Sequence, residues 1–179
     1  MRLFVGVRPP GPVLDQVGEL VAQLQGSLDR RSVGALRWAS RDQWHLTLRF
    51  LGEVDDPEPV VTALDRAPIA PARAALGPAT KVLGSQVVCV PAAGLEVLAA
   101  GVVAATASFG RPPGNRPFHG HLTVARLRGR PRRSRTLKHH DLDGAAIEAR
   151  WRVDEVVLVR SHLGSGGSRY ENLHVRRLT

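Results

Sequence analysis

Two short stretches carry the residue types that acid–base chemistry needs: His45-Leu46-Thr47-Leu48-Arg49-Phe50 and His121-Leu122-Thr123-Val124-Ala125-Arg126. Each reads His-Leu-Thr followed by an aliphatic residue, and one lies in each half of the chain. Imidazole titrates near neutrality, so a pair can hold opposite protonation states, one ring taking a proton while the other gives one. The threonine hydroxyls beside them can donate hydrogen bonds to an anion.

Both stretches alternate apolar and polar residues with the period of a strand, on which residues i and i+2 share a face. That predicts His45 with Thr47, and His121 with Thr123, on exposed faces. Leu46, Leu48 and Phe50, and then Leu122 and Val124, are assigned to the core. Arg49 lies four residues beyond His45 and should share its face, which makes it a candidate for substrate contact. Arg126 lies five beyond His121, so an ideal strand turns it away, and a bulge or the strand's end would bring it back. Trp38 and Phe50 offer flat rings for stacking on a base, with the core as the first assignment for Phe50.

The elements around these stretches follow from pattern and punctuation. Residues 2–8 read as a strand, and Pro12 is placed to start a helix that carries Val13, Val17, Leu20, Val21 and Leu24 to about residue 30. A short strand at 36–38, a turn at 40–43 and the His45 strand follow, then a helix over 57–66. Beyond these come an edge strand near 73–76, a strand over 86–90, and a third helix marked by Leu95, Leu98, Val102, Ala105 and Phe109. The His121 strand spans 118–127. A basic loop occupies 128–135. One long strand over 152–163, a glycine turn at 164–167 and a final strand over 169–177 complete a faint internal duplication.

With 179 residues and 43% hydrophobic content, the chain is read as one compact domain, 1–179. It has no apolar run near the roughly 20 residues that cross a bilayer. The first residues are too soon ended by Pro9-Pro10 for a signal peptide, so a cytoplasmic monomer is expected, with no membrane partner. The single cysteine, Cys89, excludes an internal disulfide and reads as a buried strand thiol. His119 and His121 have a spacing that zinc sites use, but no further ligand lies near them. His139-His140-Asp141 sits in a polar loop. No metal or other cofactor is expected. The net charge of +9, from 25 basic and 16 acidic residues, suits a polyanion such as nucleic acid. An arginine-rich composition of this kind also gives the same excess without a partner.

The two motifs, with Arg2-Leu3-Phe4-Val5, the blocks 44–53 and 118–126, Val153-Asp154-Glu155-Val156-Val157-Leu158 and the segment 163–171, resemble the two-histidine (2H) phosphoesterases. The resemblance is closest to the RNA 2′,3′-cyclic phosphodiesterases, also called 2′-5′ RNA ligase-like proteins. It implies an α+β fold of two pseudo-symmetric lobes, whose antiparallel sheets face a central cleft with helices outside. It also implies metal-independent hydrolysis of RNA-terminal or nucleoside 2′,3′-cyclic phosphates to 2′-phosphates. Carried over by position, His45 is the proton donor and His121 the acceptor, Thr47 and Thr123 accompany them, and Arg126 stands where the second motif ends in Arg. Many relatives have Pro before the second histidine, where this chain has Gly120, which would loosen the backbone. Two other readings stand beside this one. One is 2′-5′ ligation of RNA by the same chemistry in reverse, and the other is an RNA-binding protein that turns over little.

Overall fold

The structure is a computed structural model that describes residues 1–84, 86–127, 142–164 and 167–179, apart from the side chain of Arg31. The chain runs β1 (Arg2–Val7), α1 (Gly11–Ser27), α2 (Arg30–Gly34), β2 (Leu36–Trp38), a 3-10 turn (Arg41–Gln43) and β3 (Leu46–Glu53). It continues through α3 (Glu58–Arg66), β4 (Ala72–Leu76), β5 (Lys81–Leu83), β6 (Val87–Ala93) and α4 (Glu96–Ala105). Then follow β7 (Gly120–Leu127), β8 (Ala149–Val153), β9 (Glu155–Gly164) and β10 (Gly167–Arg177).

The strands form an antiparallel sheet in the order β10-β9-β1-β3-β7-β6-β4-β8, with β2 on β7 and β5 on β6. The two halves meet between β3 and β7 through one register pair, Leu46 with Leu122. The α+β architecture is as expected, but its two sheets are joined at that seam. Both leucines are fully buried. Truncating either to Ala costs about 3 kcal/mol by leaving a cavity where the halves join.

One apolar cluster draws on the buried stripe of α1 (Val13, Val17, Leu20, Leu24), Val60 and Leu64 of α3, and Leu98 and Val102 of α4. It also takes in Leu3, Val5, Leu46, Leu48, Leu122 and Val124 from the strands. The helices thus pack on the sheet face that these residues present. His45, immediately before β3, and Thr47, His121 and Thr123 are left on the other face.

The structure departs from the sequence reading in several places. The single strand expected over 152–163 is two, broken at Asp154, because β8 pairs with β4 of the second half and β9 with β1 of the first. The expected edge strand, β4, is interior, and β8 forms the edge. β6 runs on through Pro91, which lacks a donor but whose carbonyl accepts from Gly77 N at 2.8 Å. The third helix stops at Ala105, where the Thr106 hydroxyl caps the Val102 carbonyl at 2.6 Å. The elements α2 and β5 have no counterpart in the sequence reading. The basic stretch 128–135, the cluster His139-His140-Asp141, and Ser165 and Gly166 of the glycine turn lie outside the described residues.

Candidate active site

On the face away from the four helices a cavity of about 390 Å³ is lined by His45, Thr47, His121, Thr123 and Arg126. Two motifs far apart in sequence therefore share one cleft. The joint between β3 and β7 brings them together.

Each histidine is oriented by the carbonyl two residues before it. His45 Nδ1 lies 2.6 Å from the Gln43 carbonyl, and His121 Nδ1 lies 3.0 Å from the His119 carbonyl. A carbonyl only accepts, so Nδ1 carries a hydrogen in both rings and Nε2 is the atom that gains or loses the proton. His45 Nε2 lies 3.1 Å from Thr47 Oγ1, whose hydroxyl donates to the neutral ring. Gln43 is itself fixed, because its side chain accepts from Ser40 N at 3.0 Å and donates to the Ser168 carbonyl of β10.

The two rings sit in different surroundings. His45 stacks on Phe4 at 4.6 Å between centroids and meets the edge of Tyr170 at 4.9 Å. That burial lowers the His45 pKa below the usual imidazole value. The Gln43 carbonyl opposes the shift, and the charges of His121, Arg126 and Arg8 add to it.

Arg126 reaches the cleft through a β-bulge. β6 and β7 pair Cys89 with Thr123 and then Val88 with Ala125, which leaves Val124 as an extra residue and reverses the alternation beyond it. Arg37 of β2 stands directly opposite Arg126 and also lines the cavity. Like charges placed opposite each other repel, so this pair favours an anion between them.

The same device acts in β3 and overturns two expectations. β1 pairs Gly6 with Thr47 and then Val5 with Arg49, so Leu48 is the extra residue. Beyond it Arg49 turns away from the cleft and is 6% exposed. Its guanidinium donates to the carbonyls of Val103 (2.9 Å), Phe109 (3.2 Å) and Arg111 (3.1 Å) and to Thr106 Oγ1 (2.7 Å). Arg49 is therefore no cleft residue. It pins the end of α4 and the following loop to the back of the sheet. Phe50, assigned to the core, lines the cleft instead, with the Arg2 guanidinium 4.8 Å from its ring centre.

Arg2, Phe4, Arg37 and Tyr170 line the cavity without having been assigned roles from spacing. Trp38 lines it too, as its flat ring suggested, and its indole nitrogen is buried with no partner among the described residues. Gly120, expected to loosen the backbone, is the first residue of β7. It pairs with Ala92 inside the β6–β7 ladder, and a Cβ there would lie 2.6 Å from the Ala92 carbonyl oxygen. The close approach of β6 demands glycine at that position. Among the described residues no three His, Cys, Asp or Glu side chains converge as a metal site, and no helix is long and apolar enough to cross a membrane.

An antiparallel two-half sheet with a His-x-Thr on each side of one cleft defines a two-histidine phosphoesterase. The sequence matches the LigT like Phosphoesterase family over residues 12–77 and 89–170, which is most of the chain. The protein belongs to that family. It is similar to the solved structure of TT0787 of Thermus thermophilus, with 30% identity, a TM-score of 0.75, and 99% of this chain and 98% of that chain covered. It is also similar to E. coli LigT in its apo form, with 27% identity, a TM-score of 0.71, and 99% and 97% covered. E. coli LigT has in addition been solved complexed with 3′-AMP, where identity is 27%, the TM-score is 0.71, and coverage is 99% and 98%. No curated protein matches the chain.

Proposed function

We propose that the protein hydrolyses 2′,3′-cyclic phosphates of nucleosides or RNA ends to 2′-phosphates, with His45 and His121 dividing the proton transfers. The observation that supports this most is the matched tethering of both Nδ1 atoms to backbone carbonyls, which readies both Nε2 atoms for one cavity. In this reading water attacks phosphorus in line with the ribose O3′. The acceptor, His121, takes the proton of that water at Nε2, and the donor, His45, gives its Nε2 proton to O3′ as the P–O3′ bond breaks. Thr47 and Thr123 donate to the non-bridging oxygens, where charge builds, and Arg126 with Arg37 supplies positive charge beside them.

Burial favours the neutral His45 ring in the free protein, so a donor role requires the anionic phosphate to restore its proton. The cavity volume suits a nucleotide, and E. coli LigT forms a complex with one, 3′-AMP. Ligation to a 2′-5′ bond passes through the same atoms in reverse. Turnover of a 2′,3′-cyclic mononucleotide tests the reading: the native protein should convert it, while His45→Ala and His121→Ala should not. Equal rates in all three would end it.

A further inference from the structure

The sheet face that carries His121 continues past the cleft, and its register can be followed residue by residue. His121 pairs with Pro91 on β6, and Pro91 shares its face with Ala93. Ala93 pairs with Ala75 on β4, and Ala75 pairs with Arg150 on β8. Two residues along, Arg73 pairs with Arg152. Burial agrees with this parity throughout. Leu122, Ala92, Leu76 and Ala149 are buried on the helix side, whereas Arg73, Arg150 and Arg152 are exposed. A lane of small residues therefore runs from the catalytic histidine across three strand spacings, about 14 Å along the sheet, to three arginines at its edge.

Those arginines are poorly compensated. Arg150 meets Glu148 at 3.1 Å, while the guanidinium groups of Arg73 and Arg152 have no hydrogen bond or ion pair with another described residue. Arginines facing each other across two strands repel. Two planar forks side by side are suited to phosphate oxygens, and an anion between them removes the repulsion. The lane's own residues, Pro91, Ala93 and Ala75, are small, and among the described residues they leave room for a chain laid along it.

We infer that Arg73, Arg152 and Arg150 form a phosphate-binding track for single-stranded RNA, holding the backbone a few nucleotides upstream of a cyclic end seated between His45 and His121. The inference rests on the proposed cyclic-phosphate chemistry and sharpens it. The preferred substrate is an RNA chain, and a mononucleotide uses the cleft alone. The track carries affinity without base sequence, since its contacts are to phosphates.

The test compares a ten-nucleotide oligouridylate ending in a 2′,3′-cyclic phosphate with 2′,3′-cyclic uridine monophosphate. Both are assayed with the native protein and with the double variant Arg73→Ala, Arg152→Ala, whose thermal midpoint is measured alongside. Removing two mutually repelling surface charges should leave the midpoint unchanged or raised. kcat/KM on the oligonucleotide should fall roughly tenfold or more at low salt. Its logarithmic salt dependence should become shallower by about 0.7 for each phosphate that the variant no longer neutralises. kcat/KM on the mononucleotide should not change. An equal fall on both substrates, or no fall on either, overturns the track. If neither substrate turns over, the catalytic reading has failed, and the track is tested by binding. The native protein should then hold the fluorescently labelled oligonucleotide more tightly than the double variant does, in a salt-dependent way. Equal binding by the two proteins, or equal competition by a polyglutamate peptide, overturns it.

Discussion

β3 and β7 carry the same motif and bend in the same place, yet they furnish opposite halves of the cleft. In both, the residue after the motif threonine is the extra one of a bulge, Leu48 in β3 and Val124 in β7. In both, the fourth residue beyond the histidine is then buried and the fifth reaches the cleft. What fills those positions differs. β3 buries a cation, Arg49, and presents an aromatic, Phe50, whereas β7 buries Ala125 and presents a cation, Arg126. The histidines follow suit, His45 against Phe4 and Tyr170 and His121 without such ring contacts among the described residues. One motif placed in two settings yields an apolar wall and a cationic wall, and this makes two identical rings chemically unequal.

The largest break in that comparison comes from the histidines. His45→Ala and His121→Ala should each lower kcat on a cyclic mononucleotide by roughly 10²- to 10⁴-fold. The double variant should be little worse than either single one, because the two act as a unit. Steady-state kinetics decides this, and losses that multiply independently would deny a shared site.

Arg126→Ala should come next, with kcat/KM lower by roughly 10- to 100-fold while stability is unchanged, since its side chain is exposed. Arg49→Met separates the two arginines. It removes the donor from four acceptors, the Thr106 hydroxyl fully buried and three carbonyls partly so, and should cost about 3 kcal/mol in urea unfolding, while the folded fraction keeps its kcat. Loss of kcat at full stability would return Arg49 to the cleft.

The asymmetry of the rings should appear in pH. Burial lowers the His45 pKa, so the proton whose loss opens the acid limb of kcat/KM leaves below the ordinary imidazole value, about 6.5. The limb belongs to the coupled pair whichever ring is donor. Phe4→Ala lets water reach His45 and should move that limb up in pH, whereas changes on the His121 side that leave the cleft's charge alone should not. The smallest effect is none at all. Dialysis against a strong chelator should leave turnover unchanged, and zinc-restored activity would make His119 and His121 ligands.

The motif pairs are legible because a period of two survives as far as each threonine. Beyond it a single extra residue reverses the faces, and nothing in the composition of Leu48 or Val124 announces a bulge. That is why Arg49 and Phe50 exchange their expected places and why the position of Arg126 stays open on sequence alone. Arg2, Phe4 and Tyr170 belong to segments that carry the family resemblance, but they lie at opposite ends of the chain. Only the β1–β9–β10 pairing, a tertiary fact, brings Phe4 and Tyr170 around His45. Pro91 misleads in the opposite direction, since a strand can pass through a proline whose missing donor is not needed.

The most direct test of the central claim is the pH profile of 2′,3′-cyclic mononucleotide hydrolysis at fixed ionic strength, with the product identified by phosphorus NMR. Two histidines in opposite protonation states should give a bell-shaped kcat/KM and a 2′-phosphate product. A flat profile with ready turnover, or no turnover at any pH, would contradict the paired-histidine mechanism.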